Sequence, residues 1–458
     1  MTKLRPEFLD DPRYRALKSQ ILELMASHQS PLSSLQPPQS DKTIPYEQLM
    51  ESFVSYRGGN LYYPYLSTGL GNGAFVQLAD GSVKLDFISG IGAHWAHGNA
   101  EIISSGIDAA LMDTVMQGNL QQHTLSVDVF ERFCRLSGMD HCFLTTSGAM
   151  AAENAIKLSF HHFEGKRHRI LAFEKCFIGR TLSLASITDN SAYRVGLPKT
   201  VAVDYVPFYD SSDPEGSTQR AVDVLKSHLN RYPEQHAVMC MELIQGEGGY
   251  FPGTKDFFHA LINVLKEHSV LVMADEIQTF GRTENPFAFQ TFGCEDLVDI
   301  VTIGKLSQVC ATLYRSKLKP KPGLISQTFT SSSSALHAAS VILKSFEEGD
   351  FFGVDGSIMT HGRYFQSKLA ELSHKYPEAL SGPFGYGVMV AFKPYSGTKE
   401  EAVEFAKVMF EKGLIGFIAG REPTRIRFLM PVGALSIQDI DLAISVIEET
   451  LHATRSRS

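Results

Sequence analysis

The sequence predicts an α/β protein: a large domain built on an open, mostly parallel sheet, followed by a smaller α+β domain. Three observations carry this reading. From about residue 95 to 345, helix-forming stretches alternate with short runs that are apolar on both faces: His141-Cys-Phe-Leu, Arg169-Ile-Leu-Ala-Phe, Ala237-Val-Met-Cys-Met, Val270-Leu-Val-Met-Ala and Asp299-Ile-Val-Thr-Ile. Parallel strands covered by helices on both sides require such runs, whereas a half-exposed strand would alternate. Beyond about residue 346 the rhythm changes, and helical stretches at Ile358 to Lys375 and Lys399 to Lys412 alternate with strand-like Gly387-Val-Met-Val-Ala-Phe and Arg425-Ile-Arg-Phe-Leu. Finally, 43% of the 458 residues are hydrophobic and 20% charged, enough apolar material for a large core and too much for a disordered chain.

Ahead of the alternating region, Tyr14 to Met25 has an amphipathic helical pattern and Ser30 to Ser40 is a Ser/Pro/Gln-rich connector. From Gly73 to Phe87, two alternating runs flank Ala79-Asp80-Gly81, a hairpin signal. The expected organisation is therefore an N-terminal segment (1–94) packing near the small domain, a large domain (95–345) and a C-terminal small domain (346–458).

Charge and cysteine content exclude several function classes. With 42 Lys+Arg against 50 Asp+Glu the net charge is −8, and without basic blocks the chain lacks the footprint of a nucleic-acid binder. The six cysteines form no Cys-x-x-Cys pair, which gives no support for a zinc knuckle and points to a reducing compartment. The first eleven residues carry no apolar signal-peptide core, and no apolar run reaches the ~18–20 residues of a membrane span. The expectation is a cytoplasmic protein with no membrane association and no metal.

In open parallel sheets ligands collect at the C-terminal ends of the strands. Two endings carry charge there: Val270-Leu-Val-Met-Ala runs into Asp275-Glu276, and Asp299-Ile-Val-Thr-Ile-Gly runs into Lys305. Either alone is ordinary, since strand ends commonly meet solvent, but a carboxylate and an ammonium at the rim of a buried sheet cost desolvation unless something pairs with them. A third feature is Ser147-Gly148-Ala149, a small-residue turn opening a helix-forming run, where free backbone N–H groups and the helix dipole favour a phosphate. No P-loop, Gly-x-Gly-x-x-Gly, Gly-x-Ser-x-Gly or His-Glu-x-x-His competes for the assignment. A phosphate cup, a lysine and a buried carboxylate are the set needed to hold pyridoxal phosphate: the amine forms a Schiff base, the carboxylate keeps the pyridine nitrogen protonated, and the helix end takes the phosphate.

Several ordered motifs, spanning about residue 70 to the C-terminus, resemble those of the class III aminotransferases, pyridoxal-phosphate enzymes of fold type I that include acetylornithine, ornithine, 4-aminobutyrate and lysine ε-aminotransferases. Ala274-Asp275-Glu276-Ile-Gln278-Thr-Phe-Gly281-Arg282 is similar to the family's Asp-Glu-Val-Gln-x-Gly-x-Gly-Arg block, and Asp299-Ile-Val-Thr-Ile-Gly-Lys305 to its lysine strand. Glu242-Leu-Ile-Gln245-Gly-Glu247 resembles its Glu-Pro-x-Gln-Gly-Glu segment, Phe177-Ile-Gly-Arg-Thr its aromatic-His-Gly-Arg-Thr segment, and Arg427-Phe-Leu-Met-Pro its late Arg-Phe-x-Pro-Pro motif. The resemblance implies transamination of an amino acid, a terminal amino group among the options, with 2-oxoglutarate or glutamate in a ping-pong cycle. It implies that Lys305 carries the cofactor and shuttles the proton, Asp275 pairs with the pyridine N–H, Gln278 reaches the phenolic oxygen and Phe177 stacks on the ring. Ser147, Gly148 and Ala149 would bind the phosphate, and Thr328 the phosphate of the neighbouring subunit in a homodimer with shared active sites. Arg427 would clamp a substrate carboxylate, and Glu247 would gate that arginine.

The chain also departs from the family pattern. Ile178 stands where the family has His, Met150 where it has an acidic residue, and Thr328-Phe-Thr-Ser-Ser-Ser-Ser where it has Thr-Phe-Gly-Gly-Asn-Pro. The same fold and cofactor serve decarboxylases, racemases and aminomutases. A catalytically silent binding relative is the reading from another class, and intact Lys305 and Asp275 speak against it.

Overall fold

The computed structural model describes residues 6–112 and 116–455, so residues 1–5 of the expected N-terminal segment lie outside it. The chain forms two compact units. One comprises Ala109–Met359 with Gly385–Gly387; the other comprises the described residues of Met1–Asp108, Thr360–Phe384 and Val388–Ser458.

The first unit is built on seven strands: β1 (His141–Thr145), β2 (Arg169–Phe173), β3 (Ala202–Val206), β4 (His236–Met241), β5 (Leu271–Asp275), β6 (Ile300–Ile303) and β7 (Cys310–Tyr314). Their order across the sheet is β1-β7-β6-β5-β4-β2-β3. Six run parallel, and β7 alone is antiparallel to both neighbours, β6 and β1. The sheet is thus mostly parallel, as the apolar runs required. β4, β5 and β6 are buried at every position because helices pack against the sheet, and burying that apolar surface is the main source of stability. Those helices are α1 (Leu125–Ser137), α2 (Gly148–His162), α3 (Pro214–Arg231) and α4 (Lys255–Glu267), with α5 (Ser333–Glu348) packed on α1.

One polar cluster fastens the sheet at the end where β2 and β4 begin. Asp204 of β3 accepts two bonds from Arg169 at 2.8 Å and lies 2.8 Å from Nε2 of the buried His236. Burial alone would raise the Asp204 carboxyl, but Arg169 and His236 outweigh it and hold the pKa below the ordinary value.

In the second unit the predicted N-terminal helix spans Pro12–Gln29, N-capped by the Asp11 side chain, which accepts the Arg13 amide at 2.8 Å. The predicted hairpin pairs Phe75–Leu78 with Val83–Asp86, antiparallel, and Gly81 turns with φ +82°. These strands continue a four-stranded sheet completed by Ser67–Asn72 and Leu414–Ile415. A second four-stranded sheet contains Met389–Pro394, Arg425–Leu429 and Phe417–Ala419. The helices Ser357–Lys375 and Lys399–Glu411 match the predicted stretches, the latter opened by a capping box between Thr398 and Glu401. No helix among the described residues is long and apolar enough to cross a membrane.

Candidate active site

At the C-terminal ends of β5 and β6 lies a cavity of about 390 Å³, within the range of small-molecule sites. Asp275, the last residue of β5, is 6% exposed and lines it. Its Oδ1 accepts the Ile277 amide at 3.0 Å, and in the parallel register Asp275 lies beside Thr302 of β6, three residues before Lys305. Burial pushes the Asp275 carboxyl up to about 6, although the Ile277 amide, the Thr302 hydroxyl and Lys305 pull the other way. Glu276, next in sequence, turns away from the cavity and accepts the backbone N–H groups of Ala288 and Phe289 at 3.0 and 2.8 Å, a structural role in opening a short helix.

Lys305 lines the cavity from the tight reversal between β6 and antiparallel β7, with φ +54°, a left-handed backbone that a lysine adopts only where its surroundings enforce it. Gly304 permits the close packing here: a Cβ at that position would come within 2.9 Å of Cys310 Sγ. The N-terminal turn of α2 forms another wall. Gly148 and Ala149 line the cavity, whereas the Ser147 hydroxyl accepts the Met150 amide at 3.2 Å and so caps its own helix. Phe177 reaches the cavity from the loop after β2, with Tyr193 edge-on at 6.1 Å. Gln278 lines it too; its Nε2 points to Glu247 Oε1 at 3.5 Å, while its buried Oε1 has no partner in the protein.

The structure thus brings Lys305, Asp275, Gln278, Phe177, Gly148 and Ala149 together on one cavity, with Ser147 and Glu247 one contact removed. Thr328 does not line it: the residue is exposed, and its carbonyl is backed by the segment that pairs Met116–Gln117 with Ser331–Ser332. A Cβ on Gly118 would stand 1.9 Å from the Thr328 carbonyl oxygen. Gly118→Ala is therefore expected to displace the Thr328 segment and cost roughly 1–3 kcal/mol, read as a lower melting temperature. Arg427 belongs to the other unit, on the strand Arg425–Leu429, where it is fully buried rather than part of a surface ion pair. Two charged cavity residues had no assigned role in the sequence reading: Arg180, whose guanidinium stacks 3.9 Å from the Tyr193 ring, and Glu242. Both stand inside motifs already quoted, and that was the available signal.

The residues present fit pyridoxal phosphate. A cavity with an amine, a buried carboxylate, an aromatic wall, a helix N-terminus and an orphaned buried amide oxygen matches the donor and acceptor needs of that cofactor. Comparison with known proteins agrees. The family profile described as aminotransferase class-III matches residues 62–451. Acetylornithine aminotransferase of Listeria innocua is 30% identical over 388 residues, covering 83% of this chain and 94% of that protein. The same enzyme of Archaeoglobus fulgidus is 27% identical over 385 residues, covering 82% and 93%. Among solved structures, lysine aminotransferase from M. tuberculosis superposes with a TM-score of 0.77 at 23% identity, covering 88% of this chain and 99% of that one, a likeness of fold. The chain belongs to the class III aminotransferases. It is a pyridoxal-phosphate-dependent enzyme that moves an amino group between an amino donor and a 2-oxo acid.

Proposed function

We propose that this aminotransferase passes the amino group of an amino acid, a terminal amine among its candidate donors, to 2-oxoglutarate, with both half-reactions run in the one cavity at the ends of β5 and β6. The observation that carries the proposal is the convergence of Lys305 and Asp275 on that cavity. Pyridoxal phosphate, when bound, supplies the electron sink for the charge left on the carbon that loses its proton. The Lys305 amine would anchor the cofactor and, once the substrate amine displaces it, would be free to take that proton and return it to the second carbon. The Asp275 carboxylate would hold a proton on the ring nitrogen, Gln278 would reach toward the phenolic oxygen, and Phe177 would cover one face of the ring. The amides of Gly148 and Ala149 take the phosphate, with the Ser147 hydroxyl beside them, and Thr328 contributes to the phosphate site of a neighbouring copy in a homodimer. Arg427 would take a substrate carboxylate, for which its planar fork is suited, and Glu247 would have the gating role that the family resemblance implies. Arg180, on the cavity, offers a second fork. The protein acts in the cytoplasm, away from membranes, with its organisation into a cofactor domain (95–345), a small domain (346–458) and an N-terminal segment (1–94).

The test is a panel of amino donors presented singly to the loaded enzyme without any 2-oxo acid. A transaminase loses its visible cofactor band stoichiometrically with the true donor and recovers it on adding 2-oxoglutarate. Continuous release of carbon dioxide, or of an isomer, with the band intact overturns the proposal.

A further inference from the structure

The Glu242-Leu-Ile-Gln245 segment has no part in the roles above, yet both of its polar residues reach back into the loop that carries Phe177. The two oxygens of Glu242 are engaged separately: Oε2 accepts the Phe177 amide at 2.8 Å and Oε1 accepts the Gly246 amide at 3.1 Å. Gln245 sends its side-chain amide to the Glu174 carbonyl at 2.6 Å. Glu174 and Lys175 are exposed and Lys175 has φ +60°, while Cys176 is buried and Asp189 accepts the Lys175 amide at 2.8 Å, so the exposed start of the turn between β2 and Phe177 depends on hydrogen bonds to hold it. One four-residue segment therefore holds that turn at both ends, and it runs directly on into Gly246 and Glu247. Glu276 offers the contrast. It too spends a buried carboxylate on backbone amides, but away from the cavity, whereas Glu242 lines it beside Phe177 and Asp275.

Resting on the assignment of Phe177 as the wall against the cofactor ring, we propose that Glu242 and Gln245 are positioning residues, a two-point clamp that fixes the Phe177 backbone and joins it through Gly246 to the turn bearing Glu247. The physical need is distance. Contact between a ring and its wall loses a quarter to a half of its well depth when a gap of about 0.5–1 Å opens. A phenyl side chain cannot correct such a gap, because its reach is set by its own Cα. Glutamate suits the post because each N–H needs an acceptor. Glutamine would offer one acceptor oxygen and turn an NH₂ toward the other N–H, leaving a buried donor orphaned.

The test uses the full-length protein with Glu242→Gln, Gln245→Leu and the double substitution. Hydrogen exchange of the 174–178 amides is measured without cofactor; then pyridoxal phosphate affinity and the circular dichroism of its visible band are measured on loading. Each single change is expected to speed exchange and weaken cofactor affinity by about tenfold. It should also reduce the dichroic signal, which a merely structural role would leave alone. The double variant should fall short of the product of the singles, since either cut frees the same turn. Unchanged exchange overturns the clamp, as does faster exchange with affinity and dichroism unmoved. If Glu242→Gln does not fold, Gln245→Leu, which keeps both carboxylate bonds, decides the question alone. Wild-type protein that takes up no pyridoxal phosphate would instead overturn the Phe177 assignment, with the exchange result still deciding whether the turn is held.

Discussion

Lys305→Ala is expected to lower kcat by at least about 10⁴-fold while leaving the melting temperature of the cofactor-free protein nearly unchanged. The asymmetry follows from where the residue sits. Lys305 is partly exposed to the cavity rather than packed in the core, so truncation leaves no void among the sheet side chains. Among the described residues it is the one lysine lining the cavity. Two measurements check this. Steady-state turnover with the best donor gives the loss, and borohydride reduction of the loaded wild type, followed by peptide mass analysis, should place the cofactor on the peptide containing Lys305. Turnover within tenfold of wild type, or a mass label on another lysine, would reject the assignment. Lys305→Arg separates charge from proton transfer, because arginine keeps the cation but gives up no proton near neutral pH.

The second large effect is a reversal of stability at Asp275. Burial raises this carboxyl from 3.8 to about 6, so the folded chain holds the proton more tightly than the unfolded one. Between those values the folded state binds more protons, and unfolding free energy therefore falls as pH rises. A shift of this size corresponds to roughly 3 kcal/mol lost by the cofactor-free protein above pH 6. Glu242, raised to about 8, and Glu276, raised to about 7, move in the same direction, each through burial first. Asp275→Asn removes one of the three costs and can keep the 3.0 Å acceptor bond to Ile277. The cofactor-free variant should therefore melt above wild type at pH 7–8, with the gap closing near pH 4. Loaded with cofactor, the order should invert, because only the carboxylate can pair with a protonated ring nitrogen, and kcat should fall on the order of 10³-fold. Melting curves across pH, with and without pyridoxal phosphate, provide the check; a cofactor-free variant no more stable than wild type at pH 8 would refute it.

Much of the large unit was legible because its strands are buried on both faces and so appear as unbroken apolar runs. Two strands escaped this signal, and the physics accounts for one of them. β3 is an edge strand, only partly buried at four of its five positions, whereas β7 is buried at four of five and is short, with Thr312, whose hydroxyl donates to the Ala151 carbonyl at 2.8 Å, interrupting its apolar run. The helix Thr43–Arg57 left no trace because none of its residues is buried and no apolar face was needed. At the site, Asp275 and Lys305 could be found by rule, since strand ends are where a parallel sheet places ligands. Ser147 was read as a phosphate ligand, and what the structure shows of it is the cap on α2, because a cap and a phosphate donor look alike in sequence. Glu242 was quoted but left idle: its partners are backbone amides, which no motif records.

The solitary antiparallel strand has a consequence for how the enzyme comes into being. β1 is an edge strand whose one neighbour in the sheet is β7, with Thr145 opposite Cys310, roughly 165 residues later in the chain. The phosphate-side helix end follows β1, and Lys305 immediately precedes β7. These halves of the site meet only when the last strand slots in beside the first. Contacts of such sequence separation form late and slowly, because their closure entropy is spent before any pairing is gained. A nascent chain that has emerged as far as β6 holds Phe177, Asp275 and Gln278 of this unit's cavity but not Lys305, and has no β7 to seat β1 and the helix end that follows it. Assembly of the cavity and closure of the seven-stranded sheet are then the same kinetic event, and cofactor capture should lag synthesis until that closing step.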